Sequence, residues 1–152
     1  MTQGILFRSV NSQDGDELAA LRVEAMRASL ERVGRFDPER ARRRFLDAFS
    51  PAHTREIVVG GVRVGFFVLR PDGESLLLDH LYIRLGEQGQ GIGAAVLEHV
   101  FAQADAQGLA VRVGALKGSD ANRFYARHGF VRDSEGEFDN YYLRLPRGRI
   151  AP

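Results

Sequence analysis

The chain has 152 residues, 44% of them apolar and 27% charged, with a net charge of +1; that fits one compact soluble domain with a real core. So small a charge argues against nucleic acid or an acidic membrane surface as the main partner. With no cysteine, disulfides, thiolate metal sites and a thiol nucleophile are all excluded, which suits a reducing cytoplasm.

In chain order, Met1–Val10 lacks a basic segment followed by an apolar core, so no signal peptide is expected. Ile5–Val10 reads as a short strand. Asp14 with Glu17 three residues on is a helix start of the capping-box kind. Leu18, Leu21, Ala25, Met26, Leu30 and Val33 then follow helical spacing. Asp37-Pro38 opens a second helix, Asp as N-cap and Pro at the first position. It should stop by Ser50-Pro51, because the residue before proline avoids helical dihedrals. Glu56–Val59 and Val62–Leu69, joined by Gly60-Gly61, read as a hairpin. Pro71-Asp72-Gly73 is a turn. Ser75–Ile83, nearly all apolar, reads as a central strand covered on both faces.

From Gly91 the period becomes helical, with Ile92, Val96, Val100 and Ala104 on one face and Gly108 as the stop. Leu109–Leu116 alternates like a strand. Ser119 caps a short helix ending at Gly129, with Phe130 folding back on it, and Tyr141–Leu145 closes the chain as a strand. This order predicts an α/β (α+β) fold: a mixed, mostly antiparallel sheet of six to seven strands with helices on both faces. Residues 1–152 are read as a single domain, with 147–152 as a loose tail. No apolar run approaches the roughly 20 residues that span a membrane, so none is expected as a partner.

Gln88, Gly89, Gln90, Gly91, Ile92, Gly93 and Ala94 lie between a strand and a helix. Three glycines in five positions let backbone approach a ligand without Cβ atoms in the way. The helix that follows offers unpaired N–H groups and the positive end of its dipole, a cradle for a pyrophosphate. The bland reading is a glycine-rich turn with no ligand. Gly89, Gly91 and Ala94 also match a dinucleotide fingerprint, but no acidic residue stands in the strand about 20 positions on. Residues Arg84–Glu87 separate the glycines from their strand, and four strands precede them. No Lys-Ser or Lys-Thr follows the glycines, which excludes a Walker loop.

These residues resemble the phosphate motif of the GNAT acetyltransferase superfamily: Gln or Arg, two residues, Gly, one residue, then Gly or Ala. Gln88, Gly91 and Gly93 fit it, preceded by Leu81-Tyr82-Ile83 in place of the family's Leu-Tyr-Val strand end. A second family motif is matched by Ala121-Asn122-Arg123-Phe124-Tyr125 with Gly129-Phe130. The element order matches over nearly the whole chain, and the motifs cover Asp79–Phe130.

The resemblance implies an N-acetyltransferase that takes acetyl-CoA as cosubstrate, needs no metal, and acetylates a primary amine of a small molecule or protein. Backbone groups of Leu81, Tyr82 and Ile83 would pair with the pantetheine arm like an added strand, one N–H holding the thioester carbonyl. Gln88–Ala94 would wrap the pyrophosphate. Tyr125 would protonate the departing thiolate, and the amine would attack directly, without a covalent enzyme intermediate. The family often has Asn where this chain has Ser119; Ser119 and, one turn later, Asn122 are the expected cofactor contacts of this motif. Ala94 replaces a common Lys or Arg, which leaves the outer phosphate to Lys117 or Arg123 or to no residue. A homodimer is common in that family. A different class, a coenzyme A-binding sensor module without turnover, fits the same motifs.

Bland readings stand beside these. Tyr125 alone would be a core aromatic with a satisfied hydroxyl. Asp79, a carboxylate in a strand of leucines, must be paired or functional: it relays a proton from the acceptor or fixes a neighbouring loop. His80, on the opposite face, reads as a structural histidine. His53, His99 and His128 show no metal spacing. Arg40, Arg42, Arg43 and Arg44 read as a solvated face, in the region that shapes the acceptor site in the resembling family. Phe138, Tyr141 and Tyr142 line the acceptor cleft or pack on a closing hairpin.

Overall fold

The structure, a computed structural model, describes residues 4–148. Seven strands form one sheet: β1 (Ile5–Ser9), β2 (Thr54–Val59), β3 (Val62–Asp72), β4 (Ser75–Ile83), β5 (Ala110–Leu116), β6 (Val131–Glu135) and β7 (Asp139–Arg144), in the order β1-β2-β3-β4-β5-β7-β6. Four α-helices accompany them: α1 (Gly15–Arg32), α2 (Pro38–Asp47), α3 (Ile92–Gln107) and α4 (Ala121–Arg127). The sheet is mixed and mostly antiparallel, with a parallel pairing of β4 and β5. The expected fold class therefore holds. No helix among the described residues is long and apolar enough to cross a membrane.

The backbone divides into two compact units. The first takes the chain up to Val68 together with His80–Gly93. There β1 pairs with β2 from Ile5↔Val59 to Ser9↔Arg55. Gly60 and Gly61, at φ 59° and 80°, join β2 to β3; two left-handed residues in a row make the turn whose twist suits a two-residue hairpin. α1 and α2 bury Leu18, Ala19, Leu21 and Phe45 with Phe66 and Val68 of β3, and Tyr82 packs against this cluster. Asp37 caps α2 as expected, its side chain accepting from the Arg40 N–H at 3.1 Å.

The start of α1 differs from the expectation. A 3-10 turn, Ser12–Asp14, precedes it, and the capping box joins Asn11 to Asp14 rather than Asp14 to Glu17. Asn11 accepts from the Gln13 N–H at 2.8 Å, and Asp14 accepts from the Asn11 N–H at 2.9 Å. Glu17 is drawn away by Arg63, which also meets Asp14 and Glu56. The turn after β3 differs too, since Pro71 and Asp72 still belong to the strand and Gly73 (φ 61°) makes the bend.

The second unit holds Leu69–Asp79 and the chain from Ala94 onward. Ser75–Leu78 of β4 pair in parallel with Ala110–Val113. β5 is antiparallel to β7, and β7 to β6. Val96, Leu97, Val100 and Ala104 give α3 its buried face. Gly108 (φ 67°) ends α3, and the Leu109 N–H returns to the Ala104 carbonyl at 2.9 Å. Burial along β4 is unequal: Leu76 and Leu78 are buried, Ser75 and Leu77 half-buried, Asp79 exposed. The even cover expected from its apolar run is not observed. At the start of the tail expected from Arg147, the Arg147 N–H donates to Asp105 at 2.9 Å; residues 149–152 lie outside the described residues.

Candidate active site

In the first unit, the end of β4 runs close along β3. A Cβ on Gly65 would collide with the Tyr82 carbonyl, so only glycine permits this approach. The Arg84 N–H donates to the Val64 carbonyl at 2.7 Å. A 3-10 turn, Leu85–Glu87, leads away from the strand. Gln88 then reaches back, its Nε2 donating to the Ile83 carbonyl at 3.1 Å. The Gln88 amide nitrogen is thus spent on the strand end, one of the backbone groups expected to meet the pantetheine arm.

Gly89 and Gly91 follow at φ 79° and 78°. A Cβ built on either meets nothing within 4 Å. Their role is therefore conformational: both sit in the left-handed region that L side chains avoid, on open backbone. Gln88, Gly89, Gln90 and Gly91 are exposed, whereas Ile92, first residue of α3, is buried and anchors the helix start. The first turn of α3 carries no acidic side chain. Its N–H groups have no partner inside the helix, and its dipole favours an anion there. This backbone fits the pyrophosphate cradle.

The second motif, in the second unit, is built otherwise. Ser119 does not cap α4; its Oγ donates to the Leu116 carbonyl at 2.7 Å, and Asp120 takes the N-cap position without a side-chain bond. The turn holds Ser119 against β5, so its hydroxyl serves β5 before the helix. Asn122 is used in full. Its Nδ2 donates to the Leu116 carbonyl (2.9 Å) and the Ser119 carbonyl (3.0 Å). Its Oδ1 accepts from Asn140 Nδ2 (3.0 Å) and the Tyr142 hydroxyl (2.8 Å). Two donors and two lone pairs are all a carboxamide has.

Tyr125 is buried, edge-on to Phe130 at 5.4 Å and beside Tyr142 at 6.3 Å. Gly129 (φ 95°) turns the chain so that the Phe130 N–H donates to the Tyr125 carbonyl at 3.1 Å. Asp79, exposed, meets the half-buried Arg70 at 3.0 Å, so the carboxylate carries an ion pair. Lys117 and Arg123, the suggested contacts to an outer phosphate, are paired with Glu135 and Asp120 at 2.7 and 2.8 Å. Tyr142 is buried, and the Tyr141 ring covers Gly114 and Gly136, so both pack on the closing hairpin. Among the described residues no group of His, Asp and Glu could hold a metal ion.

One polar cluster was not foreseen. Arg22 of α1 donates from Nε to the Tyr82 hydroxyl (3.3 Å) and from Nη1 to the Ala41 carbonyl of α2 (2.8 Å). The same hydroxyl lies 3.1 Å from His80 Nδ1 and 3.3 Å from Met26 Sδ. The signal was present in the sequence: Arg22 stands four residues after Leu18 and one after Leu21, on the inward stripe of α1.

Residues 53–132, more than half of the chain, match the family model described as the acetyltransferase (GNAT) domain. The chain belongs to the GNAT acetyltransferase family. Solved structures agree on the fold. The PaiA N-acetyltransferase of Thermoplasma acidophilum, in complex with coenzyme A, aligns with a TM-score of 0.77 at 15% identity, over 93% of this chain and 99% of that one. A GCN5-related N-acetyltransferase of Rhodopseudomonas palustris gives 0.74 at 21%, over 95% and 98%. An acetyltransferase of Thermus thermophilus gives 0.72 at 22%, over 93% and 96%. No curated protein matches this sequence. Both motifs of this GNAT chain, from Leu81 to Phe130, fall inside the matched residues.

Proposed function

We propose that the protein is an N-acetyltransferase that moves the acetyl group of acetyl-coenzyme A to a primary amine. The observation that carries the reading is the open left-handed backbone at Gly89 and Gly91, immediately before α3, in a chain of GNAT membership. Acetyl-coenzyme A supplies the acyl group as an activated thioester.

The residues take separate roles. Backbone N–H groups of Gly89–Gly93 and the first turn of α3 hold the pyrophosphate. Backbone groups of Leu81–Ile83 hold the pantetheine arm in the manner of an added strand, and one N–H stabilises the charge that develops on the thioester oxygen. Gln88 is the strap that fixes the loop to Ile83. Tyr125 gives its proton to the leaving sulfur, and the buried rings around it fix its orientation. Asp79 is the group toward which the acceptor amine's proton is relayed. Ser119 and Asn122 support Tyr125 from the β5 and β7 side.

Thermal shift with acetyl-coenzyme A, coenzyme A and NAD in parallel tests the cradle. A ligand that binds only the folded chain adds about 2.7 kcal/mol of stability at a hundredfold excess over its dissociation constant. Both coenzyme A forms should raise the melting temperature and NAD should not. Tyr125→Phe should then lower amine-dependent thiol release by roughly a hundredfold or more while leaving that shift in place. Unchanged thiol release would remove Tyr125 as the acid. A shift without thiol release for any amine would leave a binding module.

A further inference from the structure

We propose that Arg22 is the anion-recognition residue of the acceptor pocket, so that the acceptor is an amine bearing a carboxylate. This rests on the acyl-transfer reading above. Arg22 is half-buried, yet its two hydrogen bonds go to neutral oxygens, the Tyr82 hydroxyl and the Ala41 carbonyl. No carboxylate among the described residues pairs with it. Other inward arginines are neutralised: Arg63 by Asp14, Glu17 and Glu56, Arg70 by Asp79, Arg144 by Asp105. Arg55 also lacks an acid, but it only donates to its neighbour Thr54 and has no polar cluster about it.

A charge taken out of water without a counter-charge is costly, and the cost falls when a ligand supplies the anion. Arg22 is also held ready for one. Its bonds to α2 and β4 fix the guanidinium, so little freedom is lost on binding. Two of its five N–H donors are used, and the rest form the planar fork that matches a carboxylate. Phe45 and Phe66 pack beside the cluster, at 5.4 Å from the His80 ring and 5.5 Å from the Tyr82 ring. Both are buried in the core, so they brace the rings to which Arg22 is held.

Position ties this cation to the reaction. Tyr82, whose hydroxyl meets Arg22, is the middle residue of Leu81–Ile83, the backbone assigned to the thioester. The guanidinium thus lies one tyrosine side chain from the acyl carbon's place. An acceptor with its carboxylate on Arg22 presents its amine along β4. The amine nitrogen bonds to the acyl carbon as the carbon–sulfur bond breaks; the nitrogen gives up one proton and the sulfur takes one.

The test is binding of glycine, β-alanine and 4-aminobutyrate, each against its methylamide, to the protein saturated with coenzyme A, read by ligand-detected NMR. At least one acid should bind roughly tenfold or more tightly than its amide, as a charge-assisted bond implies. Arg22→Gln should erase that ratio and leave the coenzyme A melting shift unchanged. Arg22→Lys, which keeps the charge without the fork, should retain part of it and serves if the Gln variant does not fold. Equal binding of every acid and its amide by the wild type overturns the proposal, as does an undiminished ratio in Arg22→Gln. If coenzyme A itself gives no melting shift, the acyl-transfer reading has failed and the proposal falls with it. A shift without carboxylate discrimination overturns the proposal alone.

Discussion

At Gly89 and Gly91 the chain leaves its backbone open, whereas Ser119, Asn122 and Tyr125 spend their side chains on the protein itself. Gly89 and Gly91 stand in open space with left-handed dihedrals. Asn122 and Ser119 have their polar atoms on Leu116, Ser119, Asn140 and Tyr142. Both segments look alike as motifs, yet they do different work. The first leaves left-handed backbone in open space just before a helix start, where the dipole favours an anion. The second is a saturated network, and such networks rigidify what they hold. Within it, Tyr125 is the residue assigned to chemistry, and the others serve its placement.

The largest effect should come from closing the open backbone. A Gly89→Val, Gly91→Val double variant puts two β-branched residues at positive φ, at about 1–2 kcal/mol of strain each. The loop would leave its conformation to relieve that strain. The melting shift with acetyl-coenzyme A, about 2.7 kcal/mol at a hundredfold excess, should vanish, while the core around Leu18, Phe45 and Phe66 is untouched. A double variant that keeps the full shift would end the contrast, since the loop would then be a turn like any other.

Asn122→Ala sharpens the contrast from the other side. It takes from the Tyr142 hydroxyl and from Asn140 Nδ2 the oxygen they share, at about 1–3 kcal/mol of stability. Coenzyme A affinity should change little. Denaturant melts and titration calorimetry together separate the cases: a stable variant with weakened cofactor binding would make Asn122 a ligand contact after all.

Much of the fold was legible because it rests on local signals. Gly60-Gly61 between β-rich runs, Asp37-Pro38 at a helix start and Gly108 at a helix end are each readable within a few residues. The switch of period after Gly91 marks α3, and the glycines that mark the cradle are as local. What escaped depends on partners far along the chain. Arg22 meets Tyr82 across 60 positions, and no window around either residue contains the other. Ser119 looked like a cap because its neighbours suit a helix start, but the Leu116 carbonyl three residues back competes for the hydroxyl and wins. That Asn140 and Tyr142 meet the Asn122 oxygen is likewise a matter of the fold alone. Side-chain saturation is a tertiary property, and a motif spelled in single letters does not carry it.

The smallest effect should appear only in acid, at the far end of the saturated region. Arg144 of β7 makes a two-pronged bond with Asp105 of α3, at 2.9 and 3.1 Å, and lies 4.0 Å over the Phe101 ring. The bonds from Arg144, and then the Arg147 N–H, pull the Asp105 carboxyl down to about 2, from an ordinary 3.8. A carboxyl lowered by folding adds stability at every pH above its unfolded value, and that contribution is lost as pH falls through the folded one. Asp105→Asn lacks it at all pH values. Wild type should therefore melt above Asp105→Asn at pH 7 and pH 5, and the gap should narrow below about pH 4 and close toward pH 2. Coenzyme A binding near pH 7 should be the same in both, because the clamp belongs to the scaffold. A gap that stays constant down to pH 2 would mean that Asp105 is not titrating against Arg144, and the ion pair would then be no part of what holds α3 to β7.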